Sequence, residues 1–282
     1  MHTRKVVKVD NGLHFGLHDA EYREIDAVAN SDLTLVKKSP AHFKAGVRKD
    51  SAAFKIGTAG HHAILQPSLY ERLYGVLPAG DGRTKAIKDA KAALIQTFGA
   101  EHVLTYAEDQ MCNGMAASVF AHDVARPLIH CDGDAEVAAV WEDPRSGLKC
   151  KGLLDKYPDD SDMIVDLKTT ADASPKAFAK SLYSYGYHRQ AAHYLRGVQT
   201  IGEPRTKFIF VAVEKTPPYA IGVYRISDAA LQAGVDELDQ LLDTYARCES
   251  TGVWPGYPEG ITEITLPTWY WSDIENNNNI VE

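Results

Sequence analysis

The sequence contains no run of about eighteen consecutive apolar residues, so no membrane-spanning helix is expected. Its first stretch, MHTRKVVKVDNGLHFG, has no apolar segment of the kind a secretory signal needs, and none is expected there. Cysteine is sparse. Cys112, Cys131, Cys150 and Cys248 are widely spaced, no CxxC occurs, and the expectation is reduced thiols in a reducing, cytoplasmic setting. Positive charge is also short. Thirty Lys and Arg stand against 38 Asp and Glu, a formal net charge of −8. Nonspecific DNA affinity comes from Lys and Arg at phosphates. The balance therefore counts against DNA binding, unless the basic residues line one groove and the acidic ones cover the outside. Neither an internal repeat nor a long linker is present. With 282 residues of ordinary globular composition, one domain is expected, with a core at about 30–250 and an irregular tail over 251–282. That tail is rich in Gly, Pro and Trp, ends near four asparagines at 276–279, and is expected to be partly disordered.

What the sequence does have is concentrated in residues 151–170, KGLLDKYPDDSDMIVDLKTT. Residues 163–168 are β-branched and apolar enough for a strand. Residues two apart in a strand share a face, so Asp166 and Lys168 project together while Leu167 turns into the core. Residues 148–157 read as a preceding strand, with turn chemistry at 158–161 between the two. If they pair across that turn, Asp155 falls opposite or diagonal to Asp166. Two carboxylates and an ammonium group then crowd one surface. Paired carboxylates repel unless a cation lies between them, and a divalent metal is the usual one. The lysine is placed to position or deprotonate a water, or to steady developing negative charge. Residues 135–142 form a further strand, making a three-stranded antiparallel meander. Glu136 adds an acid to the site in one register and faces solvent in another, and the sequence does not fix which.

Other segments fall into order around this one. Residues 1–30 read as short extended pieces, and Asn30, Ser31 and Asp32 as an N-cap run before a short helix. Lys37, Lys38, Lys44, Arg48 and Lys49 make this region basic, as a solvated helix surface or a DNA contact. Gly57 and His61 share a helix face at i, i+4, with His62 a bystander. Residues 78–91, PAGDGRTKAIKDAK, run from a glycine-containing loop into a helix. Arg83, Lys85 and Lys88 suit a phosphate there, and an amphipathic helix explains them nearly as well. Residues 106–126 read as a long core helix. A helix begins at Ser174-Pro175, and Gly186 breaks it before another over 187–198, on which Gln190 and Tyr194 share a face. Residues 207–213 read as a buried strand, 219–226 as its partner, and Ser227 as the cap of a long helix to about 248.

Taken together, Gly57-x-x-x-His61, Lys151-Gly-x-x-Asp155, Asp166-x-Lys168 and Gln190-x-x-x-Tyr194 resemble the PD-(D/E)xK nuclease superfamily over about residues 30–250. The eleven-residue step from Asp155 to Asp166, the Lys-Thr-Thr that follows and the Arg-Thr-Lys at 83–85 look most like its RecE-type (exodeoxyribonuclease VIII) branch, within the RecB-like exonucleases. The resemblance implies an α/β restriction-endonuclease-like fold, αβββαβ, with a central mixed sheet flanked by helices. It implies a 5′ to 3′ exonuclease on linear double-stranded DNA that releases mononucleotides and leaves 3′ single strands for an annealing protein. Asp155 and Asp166 would hold Mg²⁺ or Mn²⁺ with the Leu167 carbonyl and His61. Lys168 would orient or activate water, Gln190 and Tyr194 would shape the site, and Arg83, Lys85 and Lys88 would meet substrate. A homo-oligomeric ring in the cytoplasm of a bacterium, or encoded by a phage, is implied too. An endonuclease on the same fold and a silent DNA- or partner-binding protein stay open. An iron–sulfur, CRISPR-associated relative is disfavoured because only Cys248 follows the Gln190 segment.

Overall fold

The computed structural model describes residues 9–17, 19–46 and 52–267. Arg48, Lys49 and the asparagine run at 276–279 lie outside the described residues. In chain order the elements are β1 (Gly12–His14), α1 (Asp19–Glu24), α2 (Asn30–Lys38), α3 (Pro40–Ala45), α4 (Ala52–Leu65), α5 (Pro67–Leu73) and β2 (Gly75–Val76). Then come α6 (Lys85–Phe98), β3 (Val103–Leu104), α7 (Tyr106–Ala121), α8 (Ala125–Ile129), β4 (Gly133–Glu142), β5 (Lys149–Pro158) and β6 (Met163–Thr170). The series ends with α9 (Pro175–Ser184), α10 (Tyr187–Thr200), β7 (Lys207–Glu214), β8 (Ile221–Arg225) and α11 (Asp228–Thr251).

Six strands form one mixed sheet in the order β1-β4-β5-β6-β7-β8. Strands β4, β5 and β6 are an antiparallel meander, as expected from the three strands and the turn residues at 158–161. Strand β7 then runs parallel to β6, which requires a crossover, and α9 with α10 supplies it. Helices cover both faces. The sheet face carrying Ile164, Phe208 and Phe210 packs on α2, α9, α10 and α11, and the face carrying Val165, Leu167 and Val211 packs on α4, α5, α7 and α8. A strand buried on both faces reads as a continuous apolar run, which is the pattern of β7. This is the restriction-endonuclease-like fold.

Three local expectations need correction. Residues 19–24, expected to be extended, are helical. Helix α2 starts at Asn30, not after Asp32, because Asp32 acts from inside the first turn: its Oδ2 accepts the Ala29 N–H at 2.9 Å. The long helix expected over 106–126 ends at Ala121, and α8 follows after a short turn. Residues 252–267 carry no helix or strand, as expected for the tail. Among the described residues, no helix is long and apolar enough to cross a membrane.

Candidate active site

The site forms where the sheet stops being regular. In β4 and β5, Ala135 pairs with Lys156 and Val137 with Leu154, but Glu136 and Asp155 between them are skipped. Glu136 takes φ 56°, a left-handed conformation uncommon for a non-glycine residue. Strands β5 and β6 share one ladder pair among the described residues, Lys156 with Val165, which puts Asp155 opposite Asp166. Beyond that pair a side chain takes over from the ladder: Asp155 Oδ2 accepts the Leu167 N–H at 2.7 Å. Lys156 anchors the same irregularity by donating to the Cys131 carbonyl at 2.7 Å and the Gly133 carbonyl at 2.5 Å.

Around this opening the sequence-predicted residues converge. Asp166 and Lys168 share a face of β6, as the period of two requires, and form an ion pair. Leu167 turns into the opposite core. Gln190, on α10, donates from Nε2 to Asp166 Oδ2 at 2.7 Å. From the other layer α4 delivers His61, whose Nδ1 is 3.7 Å from Asp155 Oδ2. Ligand atoms of His61, Glu136 and Asp155 lie within 4.8 Å of one another. Tyr194 is buried beside them, and its hydroxyl accepts from the Leu153 backbone.

Glycines let these elements approach. A Cβ at Gly152 would stand 2.7 Å from the Tyr194 ring, so the glycine of the Lys-Gly-x-x-Asp stretch is a seat for α10. A Cβ at Gly60, next to His61, would stand 2.7 Å from the Met115 side chain, so that glycine lets α7 close on α4 beside the site. His62 hydrogen bonds to the Tyr74 hydroxyl at 3.0 Å, a structural role.

The electrostatics follow from burying so much charge. Burial, with the Asp155 charge, pushes the Asp166 carboxyl up to about 6 against the pull of the Lys168 ammonium. Asp155 is also raised by burial, against the pull of Lys168. Burial and the Lys168 charge push His61 down to about 4, so its imidazole is neutral near pH 7, with a lone pair to give. The Asp166 charge and a hydrogen bond with the Leu167 backbone oppose that shift without cancelling it. For Lys168, burial disfavours the ammonium, but Asp166 and Asp155 more than offset that and raise its pKa. Without a bound cation, then, Lys168 is a proton holder and not a free-amine base.

The donor set fits a divalent cation. Two acids carry raised pKa values, a third carboxylate and a neutral imidazole face them, and buried Asp166 Oδ1 meets no hydrogen-bond donor beyond its ion-pair contact with Lys168. Carboxylates in such numbers are characteristic of hard-cation sites.

Arg83, Lys85 and Lys88 are not drawn into this cluster by any contact. They are exposed at the start of α6, which packs on the turn at Ala100–His102 and on β2 and β3, and Arg83 is paired with Asp81 at 3.2 Å. Reasoning from sequence missed Tyr187, whose ring lies 4.8 Å beneath Lys168 Nζ. Its signal was the i, i+3, i+7 spacing with Gln190 and Tyr194 on one helix face.

A mixed sheet clothed by helices on both faces, with Asp155, Asp166 and Lys168 meeting at a parting of its strands, defines the PD-(D/E)xK class of nucleases. The chain belongs to a family within it, described as the PDDEXK-like domain of unknown function (DUF3799), whose family model matches residues 29–266. Among solved structures, a candidate exonuclease from Eubacterium rectale superposes with a TM-score of 0.60 at 14% identity, over 92% of this chain and 99% of that one. That likeness is one of fold. A phage-related exonuclease from Haemophilus somnus 129PT matches at 15% identity over 69% of this chain and 95% of its own, with a TM-score of 0.32, too loose to carry an argument. No curated protein matches the sequence.

Proposed function

We propose that this protein is a divalent-metal-dependent exodeoxyribonuclease that degrades linear double-stranded DNA from its ends, 5′ to 3′, and leaves 3′ single strands for recombination. The observation that carries the nuclease reading is the acid pair Asp155–Asp166 at the opened β5–β6 junction, with Lys168 bonded to the second acid. The end-specific, 5′ to 3′ part rests on the RecE-like resemblance of residues 151–194.

Asp155, Asp166, His61 and Glu136, with the Leu167 carbonyl, would hold Mg²⁺ or Mn²⁺. When bound, such an ion offsets the charge that builds on a phosphodiester and its leaving 3′ oxygen during hydrolysis. Lys168 directs an N–H at the attacking water or at the phosphate oxygens. Gln190 fixes the Asp166 carboxylate, and Tyr194 holds β5 at the required distance by filling the space over Gly152. Arg83, Lys85 and Lys88 contact phosphates remote from the reacting one. The same reading includes a homo-oligomeric ring around the duplex, a cytoplasmic setting and transfer of the product strand to an annealing protein.

The test uses linear duplexes labelled at either end, beside a closed circle, with Mg²⁺, Mn²⁺ or EDTA and with Lys168→Ala. Metal-dependent loss of label from 5′ ends, an intact circle and a variant about a hundredfold slower are expected. Cutting of the circle would replace the exonuclease with an endonuclease. Binding of all substrates without metal-dependent cleavage would leave a silent DNA-binding protein.

A further inference from the structure

Next to the catalytic lysine lies a groove of about 380 Å³ that the cluster above does not use. Its floor is the end of β6 from Thr169 onward, one wall is the face of α9 that carries Lys180 and Ser181, and Tyr185, Tyr187 and Lys215 complete it. Tyr187 belongs to both places, since its ring carries Lys168 Nζ. The groove is therefore continuous with the site where a phosphate would react.

Its chemistry is specific in kind. Tyr185 is 63% exposed, although a free aromatic ring gains by leaving water. It leans on Tyr187 with ring centroids 5.5 Å apart, which keeps one face of the pair available. Lys180 is exposed and Lys215 partly so, and neither forms an ion pair with an acid among the described residues. The one carboxylate in the lining, Asp172, is turned to its own chain: its Oδ1 accepts the Ser174 N–H at 2.8 Å. Solvated lysines beside an exposed aromatic ring, in a cleft of this size, fit a ligand that offers phosphates and flat rings in succession.

Resting on the nuclease reading above, we propose that this groove holds the nucleotide next to the reacting phosphate on a single, unpaired strand, with its base on Tyr185 and its backbone phosphates on Lys180 and Lys215. A duplex would have to be opened for one strand to lie here. The groove thus selects frayed ends and single strands over closed double helix.

The test is direct binding, independent of cleavage. Fluorescence anisotropy of a labelled eight-nucleotide oligothymidylate is followed in EDTA with the full chain, Tyr185→Ala and Lys180→Ala/Lys215→Ala. All three positions lie at the surface, and circular dichroism checks that the variants fold. Tyr185→Ala is expected to weaken binding on the order of tenfold, the scale of one stacked base. The double lysine variant is expected to weaken it as well and to lower the salt slope by about 1.4, two phosphate contacts of a single strand. A labelled, covalently closed circular duplex, which has no end to fray, should bind all three proteins alike. Unchanged oligothymidylate affinity in both variants would overturn the proposal, and an equal loss for the closed circle would overturn the single-strand assignment. Hydrolysis of bis(p-nitrophenyl) phosphate, too small to span the groove, separates the two readings. If the groove variants keep that activity but lose oligonucleotide binding, the groove is confirmed. If the unaltered chain binds the oligonucleotide through these residues but hydrolyses nothing, the groove stands and the nuclease reading fails.

Discussion

Asp155 accepts the backbone N–H of Leu167 at 2.7 Å, taking over from the sheet ladder at the point where β5 and β6 part. One carboxylate oxygen thereby mends the sheet while the group as a whole faces the site. Structure and chemistry are tied at this residue, which separates the effects of charge and shape.

Asp155→Asn keeps an oxygen for Leu167 and removes the charge. Its melting temperature should stay within a few degrees of the parent, while metal-dependent cleavage falls by about 10² to 10³, the scale of losing one preorganised electrostatic contact. Asp155→Ala should also melt lower, because a buried N–H left unpaired costs about 1–3 kcal/mol. Equal melting of the Asn and Ala variants would show that the Leu167 bond contributes nothing.

Lys168→Ala separates catalysis from metal binding. The ammonium competes with a cation for Asp166, so its removal should leave Mn²⁺ affinity in calorimetry unchanged or tighter while cleavage drops about a hundredfold. Asp166→Ala should abolish that binding with the fold intact. Mn²⁺ binding lost in Lys168→Ala, or retained in Asp166→Ala, would refute this assignment of ligands.

Gly152→Ala tests the seat of α10. The added methyl would meet the Tyr194 ring at 2.7 Å, and overpacking of this kind costs about 1–3 kcal/mol. A melting point several degrees lower and reduced cleavage are expected, both partly restored by Tyr194→Leu in the same chain. Failure of the second substitution to help would mean that the clash lies elsewhere.

The far side of α10 predicts a pH effect. Arg189 is buried and holds Glu237, the Asn30 side chain at 2.9 Å and the Thr34 hydroxyl at 2.6 Å. Burial pushes the Glu237 carboxyl up, but the Lys37 hydrogen bond and the Arg189 charge outweigh it and bring the pKa below the ordinary value. A depressed carboxylate stabilises the fold fully above its unfolded pKa of about 4.3, and the contribution is lost as pH falls through the folded value. Glu237→Gln should therefore melt below the parent at pH 7, by less than the loss of a fully buried pair would give, because the Glu237 carboxylate is partly exposed. The gap should close as pH falls below about 4. A gap that does not change with pH would exclude this ionisation as its source.

Much of the site was legible in the sequence because strands and helices have fixed periods. Asp166 with Lys168, Gly57 with His61 and Gln190 with Tyr194 are each short-range spacings, and each pair falls on one face of the element expected. Helix α10 was less legible. Its sequence reads as a polar helix, yet it is buried on nearly every side, because Arg189, Gln190, His193 and Arg196 each find a partner on another element. Partners 24 to 159 residues away leave no periodic trace.

The chain by itself determined which residue types recur at which local spacing, and so the element order, the meander and the acids and amine it carries. Only the tertiary structure decided that Glu136 turns inward and that Asp155 reaches between strands. It also decided that Tyr187 lies under Lys168. The reason is that backbone periodicity acts over a few residues, whereas a bulge, a parted ladder or the meeting of two layers depends on which distant surfaces pack together.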